Sequence, residues 1–378
     1  MRARKISPLA FASILTLLVY VGIFMRIPIV PLYAKSLGAS AMEVGLIAFS
    51  FMIIAAALAI PLGSLSDRLG RKRLIFAGLG LSSFASFLLS ISQTPKQIML
   101  VYPFAGLGAA AFAPAMASFV GDTSTGRMGR AYGWYTSAMQ VGMAAGPAAG
   151  GFIASYVGYS STFFFSGAVI FIALMLCLNF PASTAERRPS NIEIRKLLQN
   201  RIVFACWTAT FCIAIGFGLF QPFFPLYAST IGLSVFYIGL LFTIQSFFNA
   251  FARIPAGYIS DKSGKRYPFI VIGMLVLAAG IILLASATSW HALITAVALI
   301  GLTMGIVTMA ISTSLAEAVH PASRGMAMGG FSTTLYGGFA ISSLIGGKII
   351  SSFGYFYGFL AGGLVCALGG LLFYAMEH

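Results

Sequence analysis

Residues 63–73 read Gly63-Ser64-Leu65-Ser66-Asp67-Arg68-Leu69-Gly70-Arg71-Lys72-Arg73, and residues 257–266 read Gly257-Tyr258-Ile259-Ser260-Asp261-Lys262-Ser263-Gly264-Lys265-Arg266. At an offset of 194, Gly63, Ser66, Asp67 and Gly70 fall on Gly257, Ser260, Asp261 and Gly264, and Arg71-Lys72 falls on Lys265-Arg266. The register holds upstream, where Pro31-Leu32-Tyr33-Ala34 meets Pro225-Leu226-Tyr227-Ala228, and Gly38, Gly45 and Pro61 meet Gly232, Gly239 and Pro255. Farther along the offset becomes 196, aligning Gly150-Gly151 and Gly158-Tyr159 with Gly346-Gly347 and Gly354-Tyr355. Apolar helices look alike by chance, but chance does not keep register through turns. The chain reads as two homologous halves, residues 1–181 and 201–378, joined by the charge-rich segment 182–200.

Only 8% of the residues are charged and 59% are hydrophobic, with mean hydropathy +0.95, whereas a soluble domain carries about 25% charged residues. A soluble enzyme is excluded. A membrane-crossing helix needs roughly 20 apolar residues, and runs of that length fall near 9–32, 43–63, 74–92, 98–121, 131–155, 161–181, 202–226, 236–258, 268–287, 291–316, 326–350 and 355–375. The expected fold is an all-α integral membrane protein with twelve transmembrane helices in two pseudo-symmetric six-helix bundles. Parallel repeats of this kind place a substrate site near the midplane between the halves.

The net charge of +15 arises from 23 Lys and Arg against 8 Asp and Glu. Its bases sit in short clusters between apolar runs, which argues against a nucleic-acid partner. Assigning alternate loops to one side collects 18 of the 23 bases there, so the positive-inside rule puts both termini in the cytoplasm of a multi-pass cell-membrane protein. The run from Leu9 to Pro31 is too long for a signal peptide and is expected to remain as the first span. Three bases, Arg26, Arg253 and Lys348, fall within spans, and no carboxylate falls at mid-membrane.

The four cysteines lie in apolar runs without ligand spacing, so no metal site is expected. No GxxxxGK[ST], GxSxG or HExxH occurs, which points away from an enzyme and from direct ATP use. No cofactor is expected. The expected partners are a small-molecule substrate and the lipid bilayer, with the chain acting as a monomer.

The segment after span 2 resembles the G-x-L-x-D-R-x-G-R-K-R signature of the major facilitator superfamily, and residues 257–266 resemble its degenerate copy. The resemblance covers nearly the whole chain. It implies a conformational clamp on the basic side: Gly63 for close helix approach, Gly70 for a tight turn, Asp67 near the N-terminus of span 11 where a helix dipole favours an anion, and Arg71 paired with Asp122. The second half offers Gly257, Asp261, Lys265 and Glu317 in the corresponding places. Span 5 carries Gly133, Gly142, Gly146-Pro147 and Gly150-Gly151, which resembles the G-x8-G-x3-G-P-x2-G-G motif of the drug:proton antiporter branch. Gly142, Gly146 and Gly150 recur every fourth residue and form one groove for another helix, with Pro147 expected to kink span 5.

Two departures bear on coupling. The span 4 arginine of those antiporters is replaced by Tyr102, and no acid stands in a lumen helix. Proton exchange is therefore implied by the resemblance and opposed by the local residues. Ionisable groups in spans are functional candidates because their desolvation is expensive. Arg26, roughly 9 Å from the outer end of span 1, is expected to supply the cation that the family carries in span 4. Tyr102, Gln140, Gln245 and Asn249 complete the candidate substrate-binding set, with Gln245, Asn249 and Arg253 on one face of span 8. Arg253 is expected to snorkel to the basic side. These features favour a secondary exporter of amphipathic compounds, with a uniporter or symporter of a small organic anion as the alternative and a non-transporting membrane sensor as a reading of another class.

Overall fold

The computed structural model describes residues 7–123, 128–179, 197, 199–320 and 324–377. Span 1 is two helices, Pro8–Arg26 and Ile29–Ser36. It is followed by span 2 (Ala41–Leu69), span 3 (Arg71–Ile91), span 4 (Pro95–Thr123), span 5 (Met128–Tyr156) and span 6 (Tyr159–Leu178). Span 7 is again two helices, Arg201–Gly218 and Phe220–Thr230. Span 8 (Val235–Ser263), span 9 (Tyr267–Ser286), span 10 (Trp290–Ala318), span 11 (Arg324–Phe353) and span 12 (Tyr355–Glu377) complete the chain. The joining segment 182–200 lies almost wholly outside the described residues, as do Glu186 and Glu193 within it.

The breaks in spans 1 and 7 are not anticipated by hydropathy, because the chain stays apolar through both. Pro28 supplies no N–H to continue the first helix, and Gly218 precedes the second break at Leu219. Spans 2 and 8 run longer than expected. The signature is mostly helix, ending span 2 at Leu69, and only Gly70 separates it from span 3. Ten spans are long and apolar enough to cross a membrane by themselves; among the described residues spans 5 and 11 fall short. Both are rich in glycine, and both pack against the opposite half of the protein, so less of their surface has to satisfy lipid.

The repeat is visible in the packing. In the first half span 1 packs on spans 5 and 6, span 2 on span 4, and span 3 on spans 4 and 6; in the second half spans 7 to 12 repeat this pattern. Among the described residues six have positive φ, all glycines, and they form three repeat pairs: Gly38 and Gly232, Gly70 and Gly264, Gly158 and Gly354. A side chain would be strained at each, which explains why register survives at the turns. The Tyr33 hydroxyl donates to the Ser92 carbonyl, and the Tyr227 hydroxyl donates to that of Ala287 at 2.9 Å. Each ring then meets an aromatic pair from its own half, Tyr159 and Phe163 or Tyr355 and Phe359, with centroids 5.4–6.0 Å apart.

The halves meet along span 2 with span 11 and span 5 with span 8, and the short helices of spans 1 and 7 also touch. Below, the end carrying the turns after spans 2 and 8 is the basic end, and the opposite one is the far end.

Candidate functional site

At the basic end the duplicated signature builds two similar charge clusters. Arg71 is 8% exposed; its Nε donates to Asp122 Oδ2 at 3.1 Å and its Nη1 to Ser66 Oγ at 2.8 Å. In the second half the pairing falls to Arg266, not Lys265. Arg266 Nε and Nη2 donate to Glu317 at 3.4 and 2.9 Å, Nη2 also meets Asp261 at 2.6 Å, and Nη1 donates to Ser260 Oγ at 2.8 Å. The cause is a one-residue insertion. Gly70 leads directly into span 3, whereas Gly264 adopts a left-handed turn (φ 65°, ψ 4°) and Lys265 intervenes before Arg266 caps span 9. Arg71 to Asp122 and Arg266 to Glu317 both span 51 positions, so the true equivalents are offset by 195. Hydrogen bonds from Arg266 to Glu317, and then to Asp261, hold its guanidinium above the ordinary arginine value.

Exposed ion pairs contribute at most about 1 kcal/mol each, so Arg266→Ala is expected to lower initial transport rates by about tenfold or less. Lys265→Ala, at matched expression, leaves them unchanged. The Asp67 side chain lies outside the described residues, and with it the expected approach to span 11. Gly63 and Gly257 make no close approach to the opposite half: a methyl on Gly63 would meet Pro114 at 3.6 Å and one on Gly257 would meet Met309 at 4.0 Å, both in their own halves.

The far end is different. A methyl on Gly45 of span 2 would overlap the Ser343 carbonyl of span 11, and one on Gly347 would lie 3.4 Å from Gly45 Cα. Gly151 of span 5 faces the Val235 carbonyl and Gly239 Cα of span 8, while a methyl on Gly239 would overlap the Pro147 carbonyl. Lys35 Nζ donates to Ser229 Oγ at 3.3 Å between the short helices. Thr243 Oγ1 donates to the Ala144 carbonyl at 2.8 Å. Small residues thus let four helices from both halves touch backbone to backbone, and they seal this end.

The span 5 glycines divide by role. A methyl on Gly142, Gly146 or Gly150 would run into Tyr20 and Leu17, Val21 and Met25, or Met25 alone, so this face carries the backbone of span 1 within its own half. Gly151 serves the other half. Gly133 has open space around it and joins neither contact. The helix continues through Pro147 without a break.

Among the expected polar residues, the structure joins Gln140, Asn249 and Arg253. Gln140 Nε2 and Arg253 Nε both donate to Asn249 Oδ1 at 3.2 Å, and Arg253 Nη2 donates to Thr308 Oγ1 at 3.4 Å. Arg253 therefore turns inward instead of snorkelling. Asn249 is the midpoint of the 29-residue span 8, so this bridge between halves crosses at mid-depth. Gln245 is buried one turn away, where its side chain accepts from Ser246, and it does not join the bridge.

Arg26 and Tyr102 come together elsewhere, in a cleft between the halves that is also lined by Gln221, Ile47, Phe51 and Pro222. Span 1 continues to Ser36, so Arg26 is ten residues, about 15 Å at 1.5 Å per residue, from its end and deeper than expected. It is fully buried. Nη1 donates to the Ser82 carbonyl at 3.3 Å and Ser86 Oγ at 2.6 Å. Tyr102 packs on Phe51 with centroids 4.9 Å apart. Gln221 escaped the sequence reading because it sits in an aromatic run; a lone amide between Phe220 and Pro222 inside an apolar span is the signal that could have found it. No group of three or more His, Cys, Asp or Glu able to hold a metal occurs among the described residues.

Comparison with known proteins agrees with this architecture. The Major Facilitator Superfamily matches residues 12–210 and again 206–378, once for each half. An uncharacterised MFS-type transporter of Methanocaldococcus jannaschii is 26% identical over 343 residues, covering 88% of each chain. The quinolone resistance protein NorA of Staphylococcus aureus is 27% identical over 299 residues, covering 76% of each. Among solved structures, a bacterial homologue of the human lysosomal transporter Spinster superposes with TM-score 0.82 at 16% identity, covering 98% of this chain and 96% of the other. The nucleoside transporter NupG gives 0.81 at 14%, covering 98% and 100%. With its repeat, its twelve-helix fold and a family match on each half, this chain belongs to the Major Facilitator Superfamily.

Proposed function

We propose that this chain is a secondary transporter working by alternating access, and that it exports amphipathic small molecules across the cell membrane with its basic end and both termini in the cytoplasm. The observation that carries this reading is the far-end seal: small residues of spans 2, 5, 8 and 11 close one end over a cleft shared by both halves. Toward the basic end the halves approach less closely: methyls on Gly63 and Gly257 would meet only their own halves, and one on Gly329 of span 11 would meet Ile60 of span 2 at an ordinary contact distance of 3.7 Å, which suits a cargo entrance from the cytoplasm. Similarity to NorA supports export of drug-like compounds. The clusters around Arg71 and Arg266 would act as clamps that close the basic end in the other half of the cycle.

Coupling is the finer point. Proton antiport fits the glycine motif of span 5, but Glu43, the one acid outside the basic-end loops, caps span 2 at the far end by accepting from the Ser40 N–H. Ethidium uptake into everted vesicles with an imposed pH gradient tests both parts. Uptake dependent on this chain is the expected result, and an acid lumen accelerates it if protons are exchanged. Flux indifferent to the gradient overturns antiport, and no flux overturns export. Transport of a small organic anion is the second reading, favoured by the buried Arg26.

A further inference from the structure

Arginine keeps its charge inside proteins, and a buried charge is tolerated only when something answers it. The Arg26 guanidinium is 0% exposed. One of its nitrogens is fixed: Nη1 is held by Ser82 and Ser86, and the neighbouring Ser166 hydroxyl is tied to the Gly22 carbonyl at 2.7 Å. Its Nε and Nη2 are buried with no hydrogen-bond partner among the described residues.

No carboxylate among the described residues reaches them. Of the chain's eight acids, Asp67, Asp122, Asp261, Glu317 and Glu377 lie toward the basic end, Glu186 and Glu193 belong to the segment joining the halves, and Glu43 is exposed in the Ser40 cap. Elsewhere in this protein the same edge of an arginine does find one: Arg266 grips both oxygens of Glu317 through Nε and Nη2. Arg26 lines the cleft between the halves, where Tyr102, Gln221 and Ser343 are its polar companions and the other walls are apolar.

We infer that the Arg26 fork is the subsite for the carboxylate head of a monoanionic amphiphile, whose apolar body lies against Ile47, Phe51 and Pro222. Two parallel N–H donors match the two oxygens of a carboxylate. One base without a second nearby fits a single negative charge, and a phosphate dianion would be left half answered. The inference rests on the transporter reading and narrows its cargo.

The test measures binding of 2-naphthoate and of its uncharged isostere 2-naphthamide to the purified full chain in nanodiscs by calorimetry. Hydrogen bonds to a charged partner predict a preference of about 10- to 100-fold for naphthoate in the wild-type protein. Arg26→Gln should abolish the preference, with folding checked by gel filtration. Arg26→Lys keeps the charge but loses the fork, and it should retain only part of the preference. Equal affinities in the wild type, no saturable naphthoate binding, or a full preference surviving in either variant would overturn the subsite. If Arg26→Gln does not fold, the wild-type comparison and Arg26→Lys decide. Ethidium export by the wild-type protein reports on the transporter reading alone: export without carboxylate preference sinks the subsite only, and preference without export sinks the exporter only.

Discussion

Gly239→Leu is expected to cut transport by at least about fivefold while both halves remain folded, because its Cβ and branched methyls must occupy space held by the Pro147 carbonyl of the opposite half. Overpacking a tight contact costs about 1–3 kcal/mol, which shifts a two-state equilibrium about 5- to 150-fold. The penalty falls only on the state in which spans 5 and 8 touch at the far end. The variant therefore populates a far-end-open form at the expense of the sealed one. Gln221→Cys, placed in the cleft behind the seal, reports this through labelling by a membrane-impermeant maleimide applied at the far face. The native Cys177, Cys206 and Cys366 are buried and contribute little background, and the half-buried Cys212 is replaced by Ala in the reporter background. Labelling should rise about fivefold or more when Gly239→Leu is added, in keeping with that shift. Unchanged labelling, with unchanged transport, means the glycine crossing is not the gate.

Gly150→Leu should have the opposite profile: loss of folded protein instead of a trapped state. Gly150 lies four residues after Gly146, and a methyl there overlaps the Met25 carbonyl of span 1 in the same half. Helices in lipid associate through close packing of small residues, so the clash cannot be relieved by moving the halves apart. It is present in every state of the cycle. The expected result is a fall in monodisperse protein on gel filtration to about a tenth of wild type or less, consistent with an overpacking penalty of about 1–3 kcal/mol or more. Gly133→Ala belongs to the same sequence motif but has nothing within contact distance, and it should leave yield and transport within about twofold, as small helix-propensity changes do. If Gly133→Ala is as damaging as Gly150→Leu, the motif acts through something other than helix packing.

These two glycines also show what the sequence could and could not disclose. Gly142, Gly146 and Gly150 announce a packing face by spacing alone, but the partner is set by the fold. Only the structure separates Gly150, which holds span 1, from Gly151, which meets the opposite half. The twelve spans were legible because membrane crossing imposes a long apolar run on nearly every one of them. The breaks at Ile27 and Leu219 were hidden because an interrupted helix can stay apolar throughout. Lys265 and Arg266 are adjacent bases, so an ungapped alignment chose the wrong one, and the single-residue insertion appears only when Gly264 is seen in a left-handed turn. The bridge from Gln140 to Asn249 joins residues 109 positions apart on helices of different halves. No local pattern encodes that distance. Arg26 was legible as an oddity, and its pairing geometry was not.

The insertion of Lys265 has a consequence for how the two halves answer their surroundings. Arg71 and Asp122 are 9% and 34% exposed at the side chain, whereas Arg266 is 17% exposed and its partners Asp261 and Glu317 are 71% and 56% exposed, so the second cluster is the wetter one. Dissolved ions weaken exposed pairs far more than buried ones, with a screening length of about 8 Å at physiological strength. Raising the salt concentration therefore loosens one half of a structurally symmetric machine more than the other. The duplicated clusters differ as instruments: the first is the firmer strut, and the second is a fastening whose grip follows the ionic composition of the solution around it.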